Sequence, residues 1–159
     1  MSQTRILTDD IRNQYDITIG MLEDVIKSFP AEAWQRGEDD QQAAAIALHA
    51  VQALEFFFSD ADNAERWDYP FGKPAWEIDG SGLPTRDQLL THMQGVKAGI
   101  NRFFVMTTDA DLATPFTRYD WSGATVGGHL VYALRHTMLH HGQLTMLRHQ
   151  AGVKADTWP

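Results

Sequence analysis

Apolar residues recur along this chain at steps of three and four, and nowhere in convincing alternation, so the pattern predicts helices and no strands. Ile11, Tyr15, Ile19, Leu22, Ile26 and Phe29 form the first stripe. It opens near Thr8, whose hydroxyl suits an N-cap, with Asp9 and Asp10 favourable in the first turn, and Pro30 ends it. A polar connection up to about Asp40 leads to a second helix over roughly residues 41–62. That helix is rich in alanine and apolar on most sides, which predicts deep burial. The third starts near Thr85, just after Pro84, and runs to about Thr107, with Leu89, Met93, Val96, Ile100 and Phe103 as its stripe. The fourth runs from about Thr125 to His149 and stops near Gly152, a residue type suited to the left-handed turn that closes helices. Four helices of this length predict an all-α fold, a four-helix bundle.

Two connections are longer than a turn requires. Residues from about Asn63 to Leu83 carry Trp67, Tyr69, Phe71 and Trp76 beside several Gly and Pro, and those from about Asp109 to Ser122 carry Phe116, Tyr119 and Trp121. Structureless loops beyond about 12–15 residues are uncommon unless functional or disordered. These are too aromatic for disorder, so they are expected to pack across one mouth of the bundle, with Trp76 and Trp121 bordering any site there. The first loop is long enough to cross the full length of the bundle and join two parallel helices.

Composition narrows the function. The chain has 159 residues, 43% apolar and 21% charged, which suits one domain over residues 1–159 with its own core. A net charge of −8 argues against non-specific nucleic-acid binding, which needs a basic surface. With no cysteine, disulfides, thiolate catalysis and cysteine metal sites are excluded. Met1 to Ile6 lacks the apolar core of a signal peptide, and the charge-free run from Ala43 to Leu54 is too short to span a membrane. The expectation is a cytoplasmic protein.

The chemistry concentrates in His136-Thr137-Met138-Leu139-His140-His141-Gly142-Gln143. At about 100° per residue, His129, Ala133, His136, His140, Gln143 and Leu147 share one face of the fourth helix. A histidine pair four residues apart offers two neighbouring imidazole ligands to one divalent ion, and a catalytic site usually adds one more protein ligand. His49 is the natural third: it stands among apolar neighbours, where an unpaired polar group is costly. Its face continues through Ala53 and Phe56, and Ala50 and Ala53 allow close helix approach. The competing reading is a surface or hydrogen-bonded histidine set with no metal. Three imidazoles suit Zn, Ni, Cu, Fe or Co, with Zn, Ni or Fe the leading candidates. At an ordinary histidine pKa near about 6.5, proton competition predicts metal affinity falling steeply below pH 6.

The other candidates are weaker. His129 lies two turns before His136 and is expected at the pocket wall or just behind the ligands; His141 and His149 point elsewhere, His149 to the surface. Gln143 meets either a ligand or bound water, or a group on the first helix; Gln52 is equally open. Glu55 is about 120° off the His49 face and suits a salt bridge or solvent contact, and His92 reads as structural. No catalytic residue is identified; a general base would come from a loop, for instance Asp120 or Glu77. No Glu-x-x-His, His-Glu-x-x-His, Gly-rich phosphate loop or Gly-x-Ser-x-Gly occurs, so di-iron, zincin, phosphate-loop and nucleophile-elbow sites are unsupported.

With His136, His140, Gly142 and Gln143 followed by Leu144, Leu147, Arg148 and Gly152, with Thr125-Val126-Gly127 leading into the same helix and His49 upstream, the chain resembles the DinB-like (DinB/YfiT) metalloenzyme family. The resemblance spans essentially the whole chain and is carried mainly by the fourth helix. It implies an up-down-down-up bundle, a divalent metal on His49, His136 and His140, and frequent homodimers. It also implies a small-molecule substrate or small thiol as partner, since some relatives act as thiol-dependent transferases or isomerases; no nucleic acid or membrane partner is implied. Two readings follow: a metal-dependent hydrolase or thiol-dependent transferase or isomerase, or a non-catalytic bundle binding a metal, a small ligand or another protein. A Phe56-Phe57-Phe58 run, which one core face cannot absorb, adds to the dimer expectation.

Overall fold

The computed structural model describes residues 4–37, 42–60 and 67–154. The outermost residues expected in the second helix (41, 61 and 62), the start of the first long loop (63–66) and the N-terminal Met1 to Gln3 lie outside them. The described residues are all-helical: α1 (Ile6–Lys27), α2 (Ala31–Trp34), α3 (Ala43–Phe57), α4 (Arg86–Met106), α5 (Asp109–Leu112) and α6 (Val126–Gln150), with a 3-10 turn at Ala75–Glu77. α1 and α3 each pack against both α4 and α6, and the most extensive packing is between α3 and α6. Ala50 and Ala133 are fully buried in the core, where small side chains permit close approach.

Local chemistry sets several helix ends. Thr85 accepts from the Gln88 backbone N–H, and Gln88 answers with a bond from the Thr85 N–H, a capping box that starts α4 where the sequence predicts. Thr125 accepts from the Gly128 N–H and starts α6 with a single cap bond. α6 closes on Gly152 at φ +86°, with the Gly152 N–H on His149 O and the Val153 N–H on Arg148 O, which satisfies the last carbonyls.

α1 departs from expectation. It begins at Ile6, and Thr8 is buried inside it rather than capping it. The Thr8 N–H and hydroxyl both donate to Asp109 Oδ1 at 2.9 Å, so a carboxylate 101 residues away serves as the cap. Two short helices also go beyond the expected four. α2 occupies what reads as a polar connection and buries Trp34, whose indole N–H donates to Pro84 O. α5 sits in the second loop behind its own Thr108–Asp111 capping box. On α4 the fully buried aromatic is Phe104, with Phe103 only partly covered.

The core is tied by one buried phenol. Tyr15 is fully buried on α1 and donates to Leu130 O at 2.6 Å, joining α1 to α6, and burial pushes its ionisation well above the ordinary value. The three consecutive phenylalanines of α3 and its cap are all absorbed internally. Phe56 meets Trp67 and Tyr119, Phe57 meets Trp121 and Tyr132, and Phe58 meets Tyr15, Phe103 and Phe104. The run therefore gives no support to a dimer.

Two glycines should respond oppositely to alanine. Gly123 has φ +139°, and a Cβ there would lie 2.7 Å from the Gly128 carbonyl carbon, so Gly123→Ala should cost about 1–3 kcal/mol. Gly142 is helical, exposed and has nothing near its would-be Cβ, so Gly142→Ala should gain about 0.5–1 kcal/mol. Urea denaturation midpoints of the two variants measure both signs.

Candidate metal centre

His49 enters from the middle of α3, and His136 and His140 from successive turns of α6. One ring nitrogen from each lies within 4.8 Å of the other two. The ring centroids of His49 are 5.2 Å from His136 and 4.7 Å from His140, and the two α6 rings are 4.5 Å apart. The Nε2 atoms of His136 and His140 face each other at 3.1 Å. Tetrahedral zinc with bonds of about 2.0–2.1 Å puts ligand nitrogens roughly 3.3 Å apart, so this donor set fits a divalent ion with small ring adjustments.

The electrostatics favour neutral rings. Burial, then the neighbouring His140 and His136, holds His49 down to about 4 from 6.5. Burial, then His140, brings His136 to about 4 as well. Burial also lowers His140, against an opposing hydrogen bond from Gln143. That bond fixes a tautomer: Gln143 Oε1 accepts from His140 Nδ1 at 2.7 Å, which leaves the Nε2 lone pair facing the cluster. Gln143 thus orients the ring beside it rather than pairing with α1. The proton competition expected below pH 6 from ordinary histidines accordingly moves to lower pH.

Gln52 proves to be a scaffold. It is 2% exposed, its amide Nε2 donates to Pro70 O and Lys73 O at 2.9 Å each, and its Oε1 accepts from the Ala75 N–H at 3.0 Å. Those three bonds hold the loop that sets the Trp76 ring 5.6 Å from His49. His129 does not line the clefts at the cluster. It is buried, stacks on Phe116 at 4.1 Å, donates from Nε2 to Phe57 O at 3.1 Å and lies 2.9 Å from Ser122 Oγ, so it joins α3, the second loop and α6. Glu55 pairs with His92 at 2.7 Å. His141 is half-buried and His149 is exposed. Asp120 and Glu77 are exposed and line neither cleft.

Two clefts meet at the cluster, and His49 and Trp76 line both. One, of about 250 Å³, is bounded by Ala45, Ile46, Ala75, His140 and Gln143. The other, of about 190 Å³, holds His136 and is bounded by two arcs of rings. The first arc runs from Phe56 through Trp67 and Tyr69 to Trp76 and His49, with neighbouring centroids 4.8–6.1 Å apart. The second runs from Phe57 through Trp121 and Tyr132 to His136, at 5.0–6.2 Å. Phe56 and Phe57 join the arcs at one end, His49 and His136 at the other. Trp76 and Trp121 both stand half-exposed at this cleft. Tyr132, one turn before His136 and 25° from parallel with it, is the lining residue sequence reasoning missed; its i−4 spacing is the signal that could have found it.

The family model described as the DinB superfamily matches residues 14–144, which include all three clustered histidines. No curated protein and no solved structure matches the chain.

The depressed histidines set a pH window for the metal-free chain. Between pH 6.5 and about 4, His49 and His136 stay neutral when folded and take up protons when unfolded. Their contribution to stability is therefore complete above pH 6.5 and is lost as the pH falls toward 4. Chemical denaturation across that range should show the decline, and His136→Ala should make it shallower. A parallel decline in His136→Ala would contradict the assignment.

Proposed function

This chain belongs to the DinB superfamily, and from that premise we propose that it is a metal-dependent enzyme whose divalent ion sits on His49, His136 and His140. The observation that carries the proposal is the placement of three neutral, converging imidazoles where two clefts meet. A purely structural ion would be expected in a sealed site with its coordination completed by protein. Zinc, nickel or iron suits the donors. When bound, the ion supplies Lewis-acid polarisation of a carbonyl or of a nucleophile at its open position.

The rest of the chemistry belongs to the chain. Gln143 holds the His140 ring through its Nδ1 proton. The rings of Phe57, Trp121 and Tyr132 give the His136 side an apolar wall. Among the described residues, no carboxylate lines either cleft. Hydrolysis, or transfer or isomerisation with a small thiol, is the reaction class of this reading. In this reading the whole chain is one domain, a four-helix bundle of α1, α3, α4 and α6 in the up-down-down-up order, a reading supported by α1 and α3 each packing on both α4 and α6. No helix among the described residues is long and apolar enough to cross a membrane. The reading includes a homodimer, supported by Val131, Leu139 and Met146 on α6, which are 57%, 60% and 62% exposed.

Zinc titration of untagged protein tests the centre. His49→Ala, His136→Ala and His140→Ala should each weaken binding severely, Gln143→Ala by about 10–100-fold through loss of the oriented ring, and His149→Ala not at all. Equal affinities for His136→Ala and His149→Ala would refute the three-histidine site. For the dimer, light scattering at micromolar concentration should give twice the 17.9 kDa chain mass; a monomer mass would reject it.

A further inference from the structure

The ring-bounded cleft has a property that the metal chemistry does not require. Among the described residues lining it there is no aspartate, glutamate, lysine or arginine. Gln52 spends its amide on the loop backbone and His136 faces His140, so beside the histidines the polar groups on the walls are uncharged ones, the Tyr69 and Tyr132 hydroxyls and the indole N–H groups of Trp67, Trp76 and Trp121. A charged group entering would give up hydration and find no ion-pair partner among the described residues of the walls. Aromatic faces can attract a cation, but a divalent ion on three neutral imidazoles leaves uncompensated positive charge at the cleft's inner end. An apolar cavity of about 150 Å³ takes benzene, so about 190 Å³ has room for one ring with a small substituent.

We infer that this cleft binds an uncharged, single-ring aromatic group of the substrate, its polar substituent directed toward His49 and His136. The inference rests on the proposed active centre and names the substrate class for it. The second reactant is left to the larger cleft, where Gln143 and His140 offer polar atoms. Ala53 lies one turn after His49 on the cleft wall, and its small side chain leaves the space the ring would fill.

Calorimetry or ligand-observed NMR on the full chain tests this with three probes sharing one ring: p-cresol, benzyltrimethylammonium and benzenesulfonate. On chelator-treated protein, where the walls alone decide, p-cresol should bind at least tenfold more tightly than either charged ring, and it should still bind after zinc loading. Ala53→Leu should weaken p-cresol at least tenfold while leaving zinc affinity within twofold. If Ala53→Leu fails to fold by circular dichroism, Trp121→Ala at the mouth replaces it, with the same tenfold loss expected. Tighter binding of the ammonium ring, equal binding of the sulfonate, no binding of p-cresol to either form, or an unaffected variant would each overturn the inference. Failure of zinc to bind, with p-cresol still captured by the metal-free chain and lost in Ala53→Leu, would instead refute the metal centre and leave the ring site standing.

Discussion

A polar side chain buried on an otherwise apolar helix must find partners, and on α3 that requirement organises everything around it. Gln52 is nearly inaccessible, and its amide can be satisfied only by backbone. It takes two carbonyls and one N–H from a single stretch of loop, and so determines where that loop lies. His49, one turn earlier, faces the two α6 rings. One face of one helix thus specifies both the loop that covers the site and the helix that completes it.

The same logic separates what the sequence disclosed from what it hid. Ends with their cap within three or four residues, at Thr85, Thr125 and Gly152, are legible because both partners sit in one window. The family and the histidine pair are legible for a related reason: spacing of four on a helix has only one geometric meaning. The start of α1 is not, because its cap is Asp109, far along the chain. His129 shares the stripe of His136, yet its partners are Phe57 and Ser122, supplied by another helix and a loop. Periodicity gives the face of a helix and says nothing of what lies opposite. α2 and α5, a single turn each, are too short to show a period at all.

Burial and neighbour effects act together at the centre. Removing three imidazoles from water disfavours their protonated forms, and crowding them disfavours protonation of a second ring once one is charged. A set of neutral donors is thereby prepared before any ion arrives, which lessens the proton release that metal binding would otherwise require.

The phenylalanine run at the end of α3 has a mechanical consequence. Three successive residues are wedged into three aromatic layers, one toward Trp67 and Tyr119, one toward Trp121 and Tyr132, one toward Tyr15 and Phe104. Turning the helix by one residue, about 100°, would drive every one of those rings into the wrong layer at once. The terminus therefore works as a detent, admitting one rotational setting of α3. Since His49 rides on the same rigid rod, its height and bearing against α6 are indexed two turns away, by side chains that never approach it.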